Sequence, residues 1–226
     1  MEDTDIDRAV KAAVIAKFNN CGQICTCNER MYIHESIYEK FVAGLIEKTS
    51  ELVVGDPLNP DTFIGPKVNK AEVEKINQLV QKSVEQGGKV LLDMTPEMKP
   101  TQNGNWMYPV IIEVPNNDNI LMHDEIFGPV LPVMKVRDFN QALEFANDSE
   151  YGLSAYLFTN NVKNIMRAVN ELEFGEVYVN RENGEMINAF HNGYKLSGIG
   201  GEDGKHGLEG YLQEKNSIYE LPIKDD

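Results

Sequence analysis

The chain has 226 residues, of which 42% are hydrophobic, enough to bury the core of a folded domain. Its 21 basic and 36 acidic residues give a net charge of −15, which argues against nucleic acid and anionic membranes as partners. No apolar run approaches the roughly 18 residues that a membrane span requires, and the acidic segment 1–5 is unlike a secretory signal or transit peptide. We therefore expect a soluble, cytoplasmic, globular protein.

The first part of the chain predicts helices that alternate with short strands. The first helix is predicted over residues 5–18. A second has Ser36 as its N-cap and stops before Gly55-Asp56-Pro57, and a third runs from about Asn69 to Gly87-Gly88. Strands are predicted over residues 30–33 and 89–93. Helix and strand alternate from the start of the chain.

The second part continues this alternation after a loop that encloses one strand at residues 110–112. Further strands are predicted over residues 130–136, 153–158 and 176–180, and helices over residues 138–147 and 161–171. Glycine is too frequent in residues 184–210 to predict regular structure, and residues 216–221 can form a final strand. The pattern predicts an open α/β domain whose largely parallel sheet carries helices on both faces.

The segment Phe18-Asn19-Asn20-Cys21-Gly22-Gln23-Ile24-Cys25 follows the first predicted helix and has the composition of a loop that presents a thiol. Asn20 and Gln23 are poor core residues. Gly22 lets backbone N–H groups approach a bound group closely, as stabilisation of an oxyanion beside the Cys25 thiol requires. The alternative is that Cys25 is a small buried hydrophobic residue, the usual position of a free cysteine.

The cysteines themselves indicate neither a disulfide framework nor a metal site. Cys21, Cys25 and Cys27 lie within seven positions, and pairing two of them would leave one over, which suits a reducing compartment. Their spacing is not a zinc spacing, and no histidine lies within six residues of them. We expect Cys21 and Cys27 to pack in the interior, although either could trap Cys25 as a disulfide under oxidation.

A second motif, His123-Asp124-Glu125-Ile126-Phe127-Gly128-Pro129, places an acid and an aromatic residue before a Gly-Pro turn. By itself it is an ordinary start of a strand. Together with the Cys25 loop, it resembles the signatures of the aldehyde dehydrogenase superfamily. The resemblance implies that Cys25 is the nucleophile, that the Glu125 carboxylate binds the nicotinamide ribose hydroxyls, and that Phe127 packs near the nicotinamide ring.

The glycine-rich segment 194–207 is not a phosphate-binding loop. Ile199 and His206 stand where a Walker A loop needs glycine and a hydroxyl residue, and Asp203 stands where a dinucleotide fingerprint needs glycine. Lys195-Leu196-Ser197-Gly198-Ile199-Gly200 instead resembles the Lys-x-Ser-Gly-x-Gly segment of the same superfamily, which supports the substrate channel. Tight glycine turns are the structural alternative, and both interpretations can hold together.

The resemblance covers nearly the whole chain and is strongest to the lactaldehyde and glycolaldehyde dehydrogenase branch. It implies that Asn180, Glu185 and His191 lie near the substrate, which would be a small, 2-hydroxylated aldehyde. Thr26 departs from the branch, which often has asparagine at that position. The cofactor implied for the whole enzyme is NAD or NADP.

A complete member of the superfamily is longer than this chain. The resemblance implies that the NAD(P)-binding domain, the general-base glutamate and an oxyanion-binding asparagine would precede residue 1. We therefore expect residues 1–215 to form the catalytic domain, which alone would neither bind the cofactor nor turn over. Residues 216–226 are expected to form a C-terminal strand that extends a neighbour's sheet, which implies a homo-oligomer or association with the missing half.

Two other function classes stay open at this stage. The chain could be a non-catalytic interaction protein, whose exposed face binds another subunit. It could also be a cysteine-dependent esterase that pairs Cys25 with a histidine base, for which His34, His123, His191 and His206 are the candidates.

Overall fold

The computed structural model describes residues 1–96, 104–181, 184 and 186–220. The helices are α1 (Ile6–Phe18), α2 (Tyr38–Ser50), α3 (Lys70–Glu85), α4 (Phe139–Asn147), α5 (Val162–Glu171) and α6 (Gly204–Glu209). The longer strands are β1 (Met31–His34), β2 (Lys89–Asp93), β3 (Val110–Glu113), β4 (Val130–Val136), β6 (Ser154–Leu157) and β7 (Glu176–Val179). Two-residue strands are β5 (Tyr151–Gly152), β8 (His191–Asn192), β9 (Tyr194–Lys195) and β10 (Gly201–Glu202).

The main sheet has the strand order β1-β4-β3-β2. β4 is parallel to both β1 and β3, whereas β2 is antiparallel to β3. Two consecutive strands that pair in parallel need a crossover connection, which is usually a helix. The described residues between β2 and β3 contain no helix, in keeping with the antiparallel pairing of these two strands. The predicted α/β class with a largely parallel sheet is confirmed, and β2 is the exception.

The core lies where this sheet meets the helices. Along β4 only Lys135 is exposed, so the strand is covered on both faces, as expected of a central strand in a parallel sheet. Ile111, Ile112 and Leu131 of the sheet pack with Phe18 of α1 and Leu45 of α2, all of them fully buried. None of the helices in the described part of the chain is long and apolar enough to cross a membrane.

Most predicted helix starts are confirmed by their caps. The side chains of Asn69 and Asp138 accept hydrogen bonds from the backbone N–H groups of the third residues of α3 and α4. The prediction that Ser36 caps α2 is wrong. His34 instead accepts the Ser36 N–H through Nδ1, at 3.3 Å, and starts a 3-10 turn, Glu35–Ile37, from which α2 continues at Tyr38.

The remaining strands form separate pairs. β6 and β7 are parallel to each other, while the short pairs β5-β9 and β8-β10 are antiparallel. The glycine-rich segment therefore has more regular structure than predicted, because its turns fold two-residue strands and the short α6 against one another. The predicted strand 216–221 is not formed within the described residues 216–220, which are exposed, and Leu221 lies outside them. Pairing of this segment with another chain stays a prediction.

The start of the chain is fixed to the end of β6 by Asp3. Its carboxylate accepts hydrogen bonds from the Thr159 hydroxyl at 2.7 and 3.0 Å and from the Asn160 N–H at 2.8 Å. Desolvation alone would raise the pKa of Asp3, but these hydrogen bonds outweigh it and lower the pKa below its usual value.

We expect Asp3→Asn to lower the free energy of unfolding by roughly 1 kcal/mol at pH 7, a value reduced for solvent exposure of the carboxylate. Because the pKa is lower in the folded state, the contribution is complete above about pH 4 and is lost as the pH falls through the folded-state pKa. Urea denaturation of both proteins at pH 7 and pH 3 measures the difference, which should shrink at pH 3. A difference that grows at pH 3, or one that adds fully to that of Thr159→Val, would contradict this assignment.

Candidate active site

The thiol loop is a left-handed turn that its own polar side chains close. Asn20, Cys21 and Gly22 have φ values of 49°, 60° and 70°, a conformation that residues other than glycine and asparagine rarely adopt. The Gln23 backbone N–H and side-chain amide both donate to Asn20 O, at 3.1 and 3.0 Å, and the Asn20 amide donates to Gln23 O at 3.0 Å. Gln23 Oε1 also accepts the Val68 N–H at 2.9 Å. The two polar residues therefore build the loop that presents Cys25.

Gly22 joins this loop to the second motif. A Cβ atom at Gly22 would lie 2.3 Å from the carbonyl oxygen of Gly128, a distance at which backbone would have to move. Glycine is needed here for two reasons, its positive φ and its contact with another backbone. The two motifs, which are about a hundred residues apart in sequence, are thereby in direct contact.

The three cysteines differ in accessibility. Cys25 is exposed, whereas Cys21 and Cys27 are buried. Burial raises the pKa of Cys21 to about 11 and that of Cys27 to about 12, so both stay protonated at neutral pH. The thiolate is the reactive form of cysteine, so Cys25 is the thiol that the structure makes available for chemistry. Among the described residues, no group of three His, Cys, Asp or Glu side chains is arranged to hold a metal ion.

An ion pair between the buried Lys17 and the partly buried Glu29 connects the thiol loop to the Glu125 motif. Glu29 Oε1 accepts from Lys17 Nζ at 3.0 Å and from Cys27 Sγ at 2.8 Å, while Oε2 accepts the backbone N–H groups of Ile126 at 2.8 Å and Phe127 at 3.4 Å. Lys17 is completely buried. Desolvation opposes its charge, but the pKa of Lys17 is nevertheless raised, and Glu29 is the anion responsible at neutral pH because Cys27 is protonated there.

Cys25 and Glu125 line one cavity of about 490 Å³. The Glu125 side chain is exposed, so its carboxylate is free to meet a ligand in that cavity. Phe127 is half-buried with a φ of 52°, and its carbonyl accepts from Lys67 Nζ, which also lies 5.5 Å from the centre of the Phe127 ring. Burial lowers the pKa of Lys67.

Asn180 and His191, two further predicted site residues, are not among the residues that line this cavity. Asn180 is engaged by Thr159, whose backbone N–H donates to Asn180 Oδ1 at 2.9 Å and whose carbonyl accepts from Asn180 Nδ2 at 2.8 Å. His191 Nδ1 lies 3.0 Å from Glu176 Oε2, close enough for an ion pair although the two atoms are not aligned as a hydrogen bond. Glu185 lies outside the described residues.

Ser197 connects the glycine-rich segment to the cavity. Its hydroxyl accepts the Gly152 N–H at 3.0 Å, and Ser197 is among the lining residues. Lys195 fixes the same segment by donating to the carbonyls of Asn147 at 2.7 Å and Ser149 at 3.0 Å. The segment is therefore both a tight structural turn and part of the cavity wall.

Sequence reasoning missed three residues that hold the site together: Lys17, Glu29 and Tyr156. The Tyr156 hydroxyl donates to Thr26 O at 2.7 Å, directly beside Cys25, and the Tyr156 ring stacks on Tyr178 with centres 5.2 Å apart. A lysine that faces the core looks the same in sequence as one on a helix surface. The local signal was weak: Glu29 is a charged residue two positions after the last of the clustered cysteines.

We expect Gly22→Ala to lower the free energy of unfolding by about 3 kcal/mol, because the new methyl group meets Gly128 and strains a positive φ. Gly65→Ala is the matched control, since a Cβ there would be 3.9 Å from its nearest neighbour, Pro57. Urea denaturation of both variants measures the effect. Equal stabilities for the two variants would contradict the close contact between Gly22 and Gly128.

We expect Glu29→Gln to destabilise the chain by about 3 kcal/mol, because it leaves the Lys17 ammonium buried without an anion. The double variant Lys17→Met, Glu29→Gln should be more stable than Glu29→Gln alone, since the unpaired charge is then gone. Chemical denaturation of the wild type, both single variants and the double variant measures the coupling. If the two single effects simply add, Lys17 and Glu29 are not a pair.

Comparison with known proteins agrees with this geometry. The aldehyde dehydrogenase family profile matches residues 1–217. The chain is 46% identical over 217 residues to a 3,6-anhydro-alpha-L-galactose dehydrogenase of Vibrio sp. (strain EJY3), and 42% identical over 216 residues to a lactaldehyde dehydrogenase of Escherichia coli (strain K12). These matches cover 95% and 94% of this chain but only 45% and 44% of the relatives, so the chain spans under half their length.

Comparison with solved structures points to the same family. A solved structure of a 3,6-anhydro-L-galactose dehydrogenase in complex with NAP superposes with a TM-score of 0.92 at 46% identity, and covers 95% of this chain and 45% of that one. The cysteine loop, the Glu125 motif and the fold therefore lead to one assignment. The chain belongs to the aldehyde dehydrogenase family.

Proposed function

We propose that this chain is the thiol-bearing half of an NAD(P)-dependent aldehyde dehydrogenase that oxidises a small, 2-hydroxylated aldehyde to its carboxylate. The observation that carries the proposal is that the exposed Cys25 and the exposed Glu125 carboxylate line the same cavity. The name of the relative from Escherichia coli, a lactaldehyde dehydrogenase, supports the choice of a small 2-hydroxy aldehyde.

The nucleophilic step follows from the exposure of the thiol. The Cys25 thiolate attacks the aldehyde carbon, a C–S bond forms, and the carbonyl electron pair moves to oxygen. The backbone N–H of Cys25 is one donor for that oxyanion, and the left-handed turn before it holds the backbone in place. The adduct becomes a thioester only when its C–H hydrogen leaves as hydride to an acceptor, and water then hydrolyses that thioester, which releases the carboxylic acid and restores the thiol.

The residues present fit part of a nicotinamide cofactor. The Glu125 carboxylate is exposed in the cavity and can accept two ribose hydroxyls together, and the resemblance implies that the half-buried Phe127, two residues later, packs near the nicotinamide ring. When bound, NAD(P)⁺ supplies the hydride acceptor that converts the Cys25 adduct into a thioester. Glu29 supports this role indirectly, because it holds the backbone on both sides of Ile126.

We further propose that the chain alone does not turn over. The chain spans under half the length of its curated relatives, and the resemblance assigns the general base and one oxyanion donor to the part that it lacks. Loss of one oxyanion donor costs about 10² to 10³ in rate. The arrangement therefore supports thiol chemistry at Cys25 without completed oxidation.

We expect iodoacetamide to modify Cys25 and to leave Cys21 and Cys27 unmodified in the folded chain, because only Cys25 is exposed. Peptide mass spectrometry identifies the modified residue, and the two buried cysteines are internal controls that react after denaturation. Incubation with lactaldehyde and NAD⁺ or NADP⁺ should give no rise in absorbance at the NADH wavelength. NADH formation by the chain alone would overturn its inactivity, and preferential modification of Cys21 or Cys27 would overturn the role of Cys25.

One observation favours ester hydrolysis as a second candidate function. His123 is exposed and lines the same cavity as Cys25, whereas His34, His191 and His206 are not among the lining residues. p-Nitrophenyl acetate hydrolysis by the wild type, Cys25→Ser and His123→Gln separates the two functions. Activity that both substitutions abolish would establish the esterase, and activity that neither reduces would eliminate it.

A further inference from the structure

Phe127 has a backbone conformation that other parts of the fold must hold. Its φ is 52°, in the left-handed region, which is strained for a bulky side chain and typical of glycine and asparagine. A residue stays in such a region only where its surroundings determine it. The contacts of its backbone and of its ring therefore show what fixes Phe127.

A single lysine, Lys67, contacts both the backbone and the ring of Phe127. Lys67 Nζ donates a hydrogen bond to Phe127 O and lies 5.5 Å from the centre of the Phe127 ring, within the range of a cation–π contact. The Phe127 N–H has a longer contact, 3.4 Å to Glu29 Oε2. The ammonium of Lys67 is thus the group that holds the carbonyl and the ring together.

A lysine is an unfavourable residue for packing at this position. Lys67 is 2% exposed, and desolvation lowers the pKa of its amine. The two carboxylates whose charge favours its protonated form are engaged with other lysines, Glu72 with Lys75 at 3.4 Å and Glu29 with Lys17 at 3.0 Å. An apolar side chain of the same length would fill the space without burying a charge, so what the ammonium provides is its contact with the aromatic residue.

The backbone that carries the Lys67 side chain is anchored. The Lys67 N–H donates to Asn105 O at 2.9 Å. The next residue, Val68, donates its N–H to Gln23 Oε1 at 2.9 Å, which joins the same segment to the thiol loop. Two adjacent residues therefore hold one loop each, the Glu125 motif through a side chain and the thiol loop through a backbone N–H.

We propose that Lys67 is a positioning residue that sets the conformation of Phe127, the residue that the resemblance places near the nicotinamide ring. Its ammonium holds the carbonyl and the ring of Phe127 in the left-handed conformation. The significance for catalysis rests on the proposed function, because a nicotinamide cofactor is what gives the ring a partner. The positioning itself is a property of the chain without cofactor and is measured there.

NMR of the chain without cofactor tests this positioning. Ile126-Phe127 is the only Ile-Phe pair in the sequence, so ¹³C-carbonyl isoleucine combined with ¹³C,¹⁵N-phenylalanine isolates the Phe127 signals. We expect backbone couplings of a positive φ in the wild type and loss of these couplings in Lys67→Met. Lys75→Met is the matched control, because it removes the same charge from the exposed side of α3, and it should keep the wild-type signals. Wild-type couplings at Phe127 in Lys67→Met would overturn the proposal.

Two further measurements separate positioning from a role in stability alone. The change at Phe127 should appear in folded molecules, at urea concentrations far below the unfolding midpoint of Lys67→Met. A fall in that midpoint without any change at Phe127 would indicate a structural role and overturn the proposal. In the wild type, the Phe127 ring should shift the resonances of the Lys67 ε-protons upfield, and Phe127→Leu should remove this shift. Its absence from the wild type would overturn the contact even if Lys67→Met does not fold.

The proposed function is tested separately on the same proteins. Cys25 is exposed, and neither contact of Lys67 with Phe127 involves it, so iodoacetamide should modify Cys25 in the wild type and in Lys67→Met alike. If iodoacetamide spares Cys25 while Lys67→Met still releases Phe127, the proposed function is wrong and the positioning is supported.

Discussion

The geometry of this site depends on one partly buried carboxylate, that of Glu29. Glu29 binds the ammonium of Lys17 on one side and the N–H groups of Ile126 and Phe127 on the other. Because Lys17 is fully buried, loss of the carboxylate would leave a charge without a partner inside the protein. The Glu29 carboxylate therefore stabilises the folded chain and also aligns the loop that carries Cys25 with the loop that carries Glu125.

A second constraint acts through backbone shape. Gly22 takes a positive φ and contacts the backbone of Gly128, so the thiol loop can lie against the Glu125 motif only if Gly22 lacks a side chain. Tyr156 then holds the loop from the other side through Thr26 O. The ion pair, the contact between the two glycines and the Tyr156 hydrogen bond thus all act on the few residues around Cys25. They hold the loop in a conformation in which the Cys25 thiol is exposed while Cys21 and Cys27 are buried.

Local patterns were sufficient to predict most of the fold. The apolar run of β4 was predicted with the observed bounds, and Asp138 marked the start of α4, because periodicity and caps act within a few residues. Ser36 failed because His34, two residues earlier, caps a 3-10 turn that already includes Ser36, and the Ser36 hydroxyl lies 2.8 Å from His34 Nδ1. The separation of β6 and β7 from the main sheet was not predicted, because strand pairing depends on residues distant in sequence.

The residues of the site were likewise predictable from sequence only in part. Cys25 and Glu125 were found from short motifs, whereas Lys17, Glu29 and Tyr156 act through contacts between distant segments that no local spacing encodes. If Glu29 fixes the Glu125 loop, hydrogen exchange at the amides of Ile126 and Phe127 should be slow. We expect both amides to be protected as well as the central amides of β4, whereas exchange at the rate of an exposed loop would mean that Glu29 does not hold this segment.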